Sequence, residues 1–204
     1  MKKDINRVRL RGLIYGMSHN PQSSIITLAV DSRIGAGNYP KVFILDKNMI
    51  KGFSINDRVE VIGTAQQSQL KGDDGKYHSV TMITAQTIEP AKRRLLDYFK
   101  KEDIVGETGG NSSDKNELLF VGNLKDIYIV SDSFKKISIE TNDGETPKQV
   151  TISCFPETFA FLETASIGDR IAIVGEIQTN KRKKNGIEEF MQNVVCKDIA
   201  FFKE

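Results

Sequence analysis

Residues 54–64 read SINDRVEVIGT, and residues 166–176 read SIGDRIAIVGE. Five positions are identical, and Val59/Ile171, Val61/Ile173 and Ile62/Val174 exchange one apolar residue for another. In each copy Asn-Asp or Gly-Asp makes a turn, an alternating run of β-branched residues makes a strand, and Gly63 or Gly175 ends it. One chain of 204 residues therefore writes the same strand twice, 112 positions apart. A period that long is the mark of a duplicated domain, because solenoid repeats are far shorter.

The repeat widens on both sides of this line. NRVRLRGL from Asn6 answers NELLFVGNL from Asn116, with Gly12 and Gly122 at matching places. SIITLAV (24–30) answers KKISIET (135–141), and YPKVFILD (39–46) answers PKQVTISCF (147–155). Each copy closes on a strand-like run, YHSVTMITAQTI (77–88) or EFMQNVVCKDIAFF (189–202). Every unit thus holds five segments of period-two alternation, the pattern of half-buried strands. The glycine inside the first strand marks a bend of the kind that lets a small barrel close. DKNMIKGF and PETFAFLETA fall between strands three and four, and the second of them reads as a short helix. Five strands with a helix between the third and fourth is the order of the OB-fold, a Greek-key barrel.

The expected architecture is therefore all-β, with two tandem OB-folds at residues 1–90 and 116–204. The connection at 91–115 places Leu95, Leu96 and Phe99 at near-helical spacing and then turns Gly/Ser-rich. A short helix followed by a flexible linker is expected there.

Composition excludes several classes. No apolar run approaches the ~20 residues of a membrane span, so a cytoplasmic protein without membrane contact is expected. Cys154 and Cys196 lie too far in sequence from His19 and His78 to suggest a zinc site, and two thiols make no disulfide framework. They read as buried apolar side chains, and neither a metal nor a cofactor is expected. Two histidines leave little for general acid–base work, no phosphate-cradling loop occurs, and Asp73 and Asp74 suit a turn. An enzyme is not expected. The charge is uneven: residues 1–90 carry 12 Lys/Arg against 8 Asp/Glu, and residues 111–204 carry 12 against 15. The first unit is the better polyanion binder.

Strand 1 puts Val8, Leu10 and Ile14 on one face and Arg7, Arg9, Arg11 and Tyr15 on the other. Three arginines about 6–7 Å apart match the phosphate spacing of an extended single strand. Arg33, Lys41, Lys71 and Lys76 would add charge. Tyr15, Tyr39, Phe43 and Tyr77 are candidates to stack on bases, whereas Phe53 reads as core. In the second unit Lys181, Arg182, Lys183 and Lys184 form a cationic run in NKRKKNG, in the loop between strands four and five, which flanks OB-fold ligand grooves. Phe155 stands at the end of strand three, with Phe134 and Tyr128 as further aromatic candidates.

The segments NRVRLRG, TLAV, YPKVFILDK, IKGFSINDRVEVIG and GKYHSVTM, in this order, resemble those of bacterial-type single-stranded DNA-binding proteins. The resemblance covers residues 5–90 well and 116–203 more loosely, chiefly through SIGDRIAIVGEI and EFMQNVVCKDIAFF. It implies the OB-fold, and two folds per chain imply a homodimer that assembles four. It also implies base-stacking aromatics. Tyr39 occupies the strand-three position with Lys41 two residues later, while Ile34, Leu45 and Leu70 stand at others. The ending DIAFFKE lacks an acidic recruitment tip, which fits a phage or mobile-element form. The expected function is coating single-stranded DNA, with little sequence preference, in replication, recombination or transfer, where proteins of those processes would be its partners. An RNA-binding OB protein, or an OB-fold interaction or assembly protein without a nucleic-acid ligand, remain the alternatives.

Overall fold

The computed structural model describes residues 4–30, 38–71, 75, 77–92, 114–142, 146–184 and 187–202. The helix and linker expected at 91–115 fall mostly outside the described residues. The first unit comprises β1 (Ile5–His19), β2 (Ser24–Ala29), β3 (Lys41–Ile44), β4 (Arg58–Lys71) and β5 (Tyr77–Pro90). The second comprises β6 (Lys115–Ser131), β7 (Phe134–Thr141), β8 (Lys148–Cys154), β9 (Arg170–Lys184) and β10 (Ile187–Phe201). A 3-10 turn at Lys47–Ile50 follows β3; a 3-10 turn at Pro156–Thr158 and the short helix α1 (Phe159–Leu162) follow β8.

In each unit the first strand pairs with both the second and the fourth, and the third runs parallel to the fifth. The order β1-β2-β3-β5-β4 thus closes on itself, as does β6-β7-β8-β10-β9. These are two OB-fold barrels in tandem. Val8, Leu10 and Ile14 fill the first interior with Ile26, Val42 and Ile83, and Leu118, Phe120 and Leu124 fill the second with Ile139, Ile152 and Ile173. Cys154 and Cys196 are buried in the second core. At mid-strand β1 passes so close to β2 that a Cβ on Gly12 would lie 2.3 Å from the Ala29 carbonyl oxygen, and one on Gly122 would lie 2.2 Å from that of Glu140. Only glycine allows this crossing.

The duplicated line builds a turn before it builds a strand. The Ser54 amide donates to the Asp57 carboxylate at 2.8 Å, and Ser166 donates to Asp169 at 2.7 Å. The residue between is left-handed, Asn56 at φ 71° and Gly168 at φ 95°, which is why only Asn and Gly occupy it. The turn docks on the bend of the first strand: Asn56 N donates to Ile14 O, and Gly168 N donates to Leu124 O, both at 2.8 Å.

The arginine of each line reaches into the other unit. Arg58 pairs with Asp114, just ahead of β6, and Arg170 pairs with Asp4, just ahead of β1. The two bridges are reciprocal, like the antiparallel pairing of β1 with β6 from Ile5↔Val121 to Arg11↔Lys115. The barrels therefore share one ten-stranded sheet. The asparagines that open the two repeats also match. Asn6 donates to Ala65 O and accepts from Ala65 N at 2.7 and 2.9 Å, and Asn116 does the same with Ile177 at 2.7 and 2.8 Å. Each side-chain amide takes the place of a backbone partner at the edge of the ladder.

Candidate nucleic-acid interface

On the first barrel the outer face of β2 and β3 opens beside the far half of β1. Cross-strand pairing sets Thr27 opposite Lys41 and Ile25 opposite Phe43. Tyr15 protrudes where the β1–β2 register shifts between Ile14 and Gly16, and is 58% exposed. Its ring meets that of Tyr39 at 4.9 Å between centroids, tilted by 54°. Tyr15, Tyr39, Lys41 and Phe43 are thus gathered on one surface, with the small residues Gly16, Thr27 and Ala29 between them. Phe43 is half-buried on the outer side of β3, as its alternation with Val42 and Ile44 requires. Phe53 packs against the core, as expected.

The second barrel places its ring pair differently, at the start of β7 and just past the end of β8, whereas Tyr15 and Tyr39 lie by the end of β2 and the start of β3. Phe134 and Phe155 face each other at 5.5 Å, tilted by 34°. Lys136 Nζ lies 5.7 Å from the Phe134 centroid, and β6 brings Tyr128 opposite Lys136. Tyr128 is 47% exposed, and a hydrogen bond with Asp126 holds its phenol above the ordinary pKa. Lys135, whose parity turns it the other way, sits 4.2 Å over the Phe159 ring.

Each face is walled by the other unit. Asn38 donates to Ile177 O at 2.6 Å and accepts from Thr179 N at 2.9 Å, and Tyr39 N donates to Thr179 Oγ1 at 2.8 Å. Lys41 N donates to Gln192 Oε1 at 2.8 Å, and Gln192 Nε2 donates to Thr81 O at 2.7 Å. The β9–β10 arm therefore lies along the start of β3. In return Gln67 of β4 accepts from Thr151 N of β8 at 3.3 Å. Lys181, Arg182, Lys183 and Lys184 continue β9 just beyond this contact. They are not in an irregular loop, because the ladder to β10 runs on to Lys184↔Ile187.

The arginines of β1 keep the outward side that alternation gave them but are not a free row. Arg9 Nε and Arg11 Nε both donate to Glu60 at 2.6 Å, and Arg9 also lies 3.7 Å from Glu117. Burial raises the pKa of the Glu60 carboxyl, but the hydrogen bonds and charge of Arg9 and Arg11 outweigh it and leave the group below its usual range. Glu60 sits opposite Arg11 on the neighbouring strand, a register that sequence alone does not display. Arg7 is exposed and makes no ion pair among the described residues. These three lie on the half of β1 between β4 and β6, whereas Tyr15 lies on the half paired with β2.

Lys71 and Tyr77 pair at the end of the β4–β5 hairpin. Arg33 and Lys76 lie outside the described residues, as does Ile34. Leu45 is 68% exposed beside the first face. Phe134, a further candidate in the sequence, is the ring that Phe155 meets. Among the described residues no helix is long and apolar enough to cross a membrane, and no group of three or more His, Cys, Asp or Glu could hold a metal ion.

Two closed five-stranded barrels with open, aromatic outer faces define the class: a tandem OB-fold protein with two candidate ligand surfaces. A scan against protein-family models gives no match, and a sequence search of curated proteins gives none. Among solved structures the chain is similar to the single-stranded DNA-binding protein from Thermus aquaticus. The wild-type structure aligns at TM-score 0.62 and 16% identity over 100% of this chain and 95% of that one. A deletion mutant of that protein aligns at TM-score 0.64 and 18% identity, over 100% and 97%. The likeness spans both barrels and establishes the fold.

Proposed function

We propose that this chain binds single-stranded DNA with little sequence preference and coats strands exposed in replication, recombination or the transfer of a phage or mobile genome. It acts as a binding protein and not as an enzyme. One observation carries the reading: each barrel presents on its open outer face a pair of contacting rings, Tyr15 with Tyr39 and Phe134 with Phe155, and a lysine, Lys41 or Lys136, on the same face. Rings accept any base, and a lysine neutralises phosphate without reading base edges. The full-length likeness to a protein named for single-stranded DNA binding supports the same reading. Lys181 to Lys184 continue β9 beyond Thr179, which Tyr39 contacts, and two chains together would carry four barrels.

The test is an anisotropy titration of fluorescent oligo-dT at low and high salt, with oligo-U alongside. Log K should fall by roughly 0.7 per phosphate neutralised for each tenfold rise in salt, and oligo-dT should bind more tightly than oligo-U. No binding at low salt would end the proposal and leave an assembly role.

A further inference from the structure

Cys154 and Cys196 are a nucleophilic pair that DNA binding leaves unused. β8 and β10 run parallel, with Ile152 beside Val194 and Ser153 beside Val195. One step further along that register sets Cys154 beside Cys196. Alternation from the buried Ile152 and Val194 turns both thiols into the second core, at 0% and 6% exposure. Parallel neighbours stand about 4.8 Å apart, inside the ~4.4–6.8 Å Cα separation that a disulfide spans. A hydrogen bond between the thiols holds Cys154 below the ordinary thiol range and, with burial, pushes Cys196 above it. Both residues also sit where strand regularity ends. Cys154 closes β8, and Cys196 opens the β9–β10 register shift, where its Sγ donates to Asp198 O at 3.5 Å. Such irregular places give the backbone room to adjust. The first unit supplies the contrast. Its matching register, Val42 beside Ile83 and Phe43 beside Thr84, runs on to Ile44 and Ala85, which have the same 0% and 6% exposure. The barrel therefore needs only apolar bulk at this place, and the thiols are chemistry that the second copy adds.

We propose that Cys154 and Cys196 form a peroxide-sensitive modification site, joined reversibly as a disulfide, that adjusts the second aromatic face. Cys154, as thiolate, attacks one oxygen of the peroxide, and the O–O bond breaks to leave a sulfenic acid and hydroxide. The hydroxide takes up the proton that the Cys154 thiol gave up. The Cys196 sulfur then attacks the sulfenic sulfur, the S–O bond breaks, and the oxygen leaves as water with the Cys196 proton. Two thiols lose two electrons and two protons, and one hydrogen peroxide becomes two waters. A thiol reductant reverses the bond by exchange. The residue after Cys154 is Phe155, whose ring meets Phe134 and whose carbonyl accepts from Thr158 N and Oγ1, both at 2.9 Å. A bond that draws the end of β8 towards β10 moves this ring, and its effect on DNA rests on the functional reading above.

The test treats the full chain with hydrogen peroxide, counts thiols by maleimide labelling after unfolding, maps linked peptides by mass, and titrates oligo-dT. The two thiols should disappear, with Cys154 joined to Cys196 within one chain, and dithiothreitol should restore both. Oligo-dT affinity should fall by about threefold or more on oxidation and recover with the reductant. Cys154→Ile/Cys196→Ala carries the residues of the first unit. It should melt like the reduced wild type, bind oligo-dT as tightly, and keep that affinity after peroxide. The inference is overturned if both thiols persist, if the cysteines end as sulfinic acids, or if they join two chains. It is equally overturned if oxidation leaves affinity unchanged, or changes it as much in the double variant, which would assign the effect to methionine. A reduced chain that does not bind oligo-dT would instead sink the functional reading, while the thiol count and the linked peptide still decide the site.

Discussion

Removing the two tyrosine rings of the first face separates stacking from charge. Tyr15 is 58% exposed and touches Tyr39 at 4.9 Å, so a base can lie against the pair with little rearrangement. Stacking of this kind is worth about 1–3 kcal/mol per base, and 1.4 kcal/mol is tenfold in affinity. Tyr15→Ala/Tyr39→Ala should therefore weaken oligo-dT binding by about 5- to 100-fold. The singles should not multiply, since each ring braces the other. Because no counterion is released by a ring, the slope of log K against log salt should stay that of the wild type. Lys41→Gln should instead lower that slope by roughly 0.7. The contrast is Arg9→Gln/Arg11→Gln/Glu60→Gln, which removes two cations and the carboxylate that already binds them. Its net change is one charge on another side of the sheet, and affinity should change by less than about threefold. Titration at several salt concentrations reads all of these. If the arginine triple variant loses as much as the tyrosine double variant, or the tyrosine variants flatten the salt slope, the assignment of the face is wrong.

Asp114→Asn should destabilise the protein in denaturant melts, because it removes the negative charge that faces the Arg58 guanidinium, whose side chain is 0% exposed. Asp4→Asn should cost less, since Arg170 keeps 15% exposure and the Phe202 ring at 5.6 Å. Gly12→Ala should cost about 1–3 kcal/mol or more through its clash with the Ala29 backbone, whereas Gly16→Ala, whose nearest neighbour stands at 3.9 Å, should melt like the wild type. Glu60 has a folded pKa below its unfolded value, so its contribution is complete above the unfolded pKa and fades as pH falls through the folded one. Acid melts below about pH 4.5 should thus be shallower in Glu60→Gln than in the wild type; identical acid limbs would refute this.

The strands were legible because alternation reports burial directly, and the duplication doubled each signal. Their ends were less so. The run at 39–46 shortens to Lys41–Ile44, since Asn38 and Tyr39 turn to the second unit's β9 and Asp46 caps the 3-10 turn. The lysine run at 181–184 looked like a loop because charge hides a strand, yet β10 pairs with it to the end. The arginine alternation gave the correct side of β1 but not its neighbours: Glu60 is about 50 residues away in sequence, and only the register sets it between Arg9 and Arg11. Asn6 and Asn116 announced themselves by opening both copies, and their bonds to Ala65 and Ile177 explain why. The walls of the two faces were illegible, since bonds such as Lys41 to Gln192 span 151 residues and leave no local pattern.

The duplicated line thus specifies more than a barrel strand. Its Ser and Asp close the turn, its Asn or Gly allows that turn, and its Arg ties the unit to the opposite one. An arginine that only decorated a single barrel would not be expected buried against an acid from the other. The consequence is that a face is complete only when both units are present. A fragment of residues 1–92 would leave Arg58 without Asp114, Asn38 without Ile177 and Thr179, and Lys41 without Gln192. Such a fragment should bind oligo-dT far more weakly than one barrel of the intact chain, and adding residues 114–204 in trans should restore part of the affinity. Full affinity in the isolated fragment would show that the cross-unit bonds hold the barrels together without shaping the surface that meets DNA.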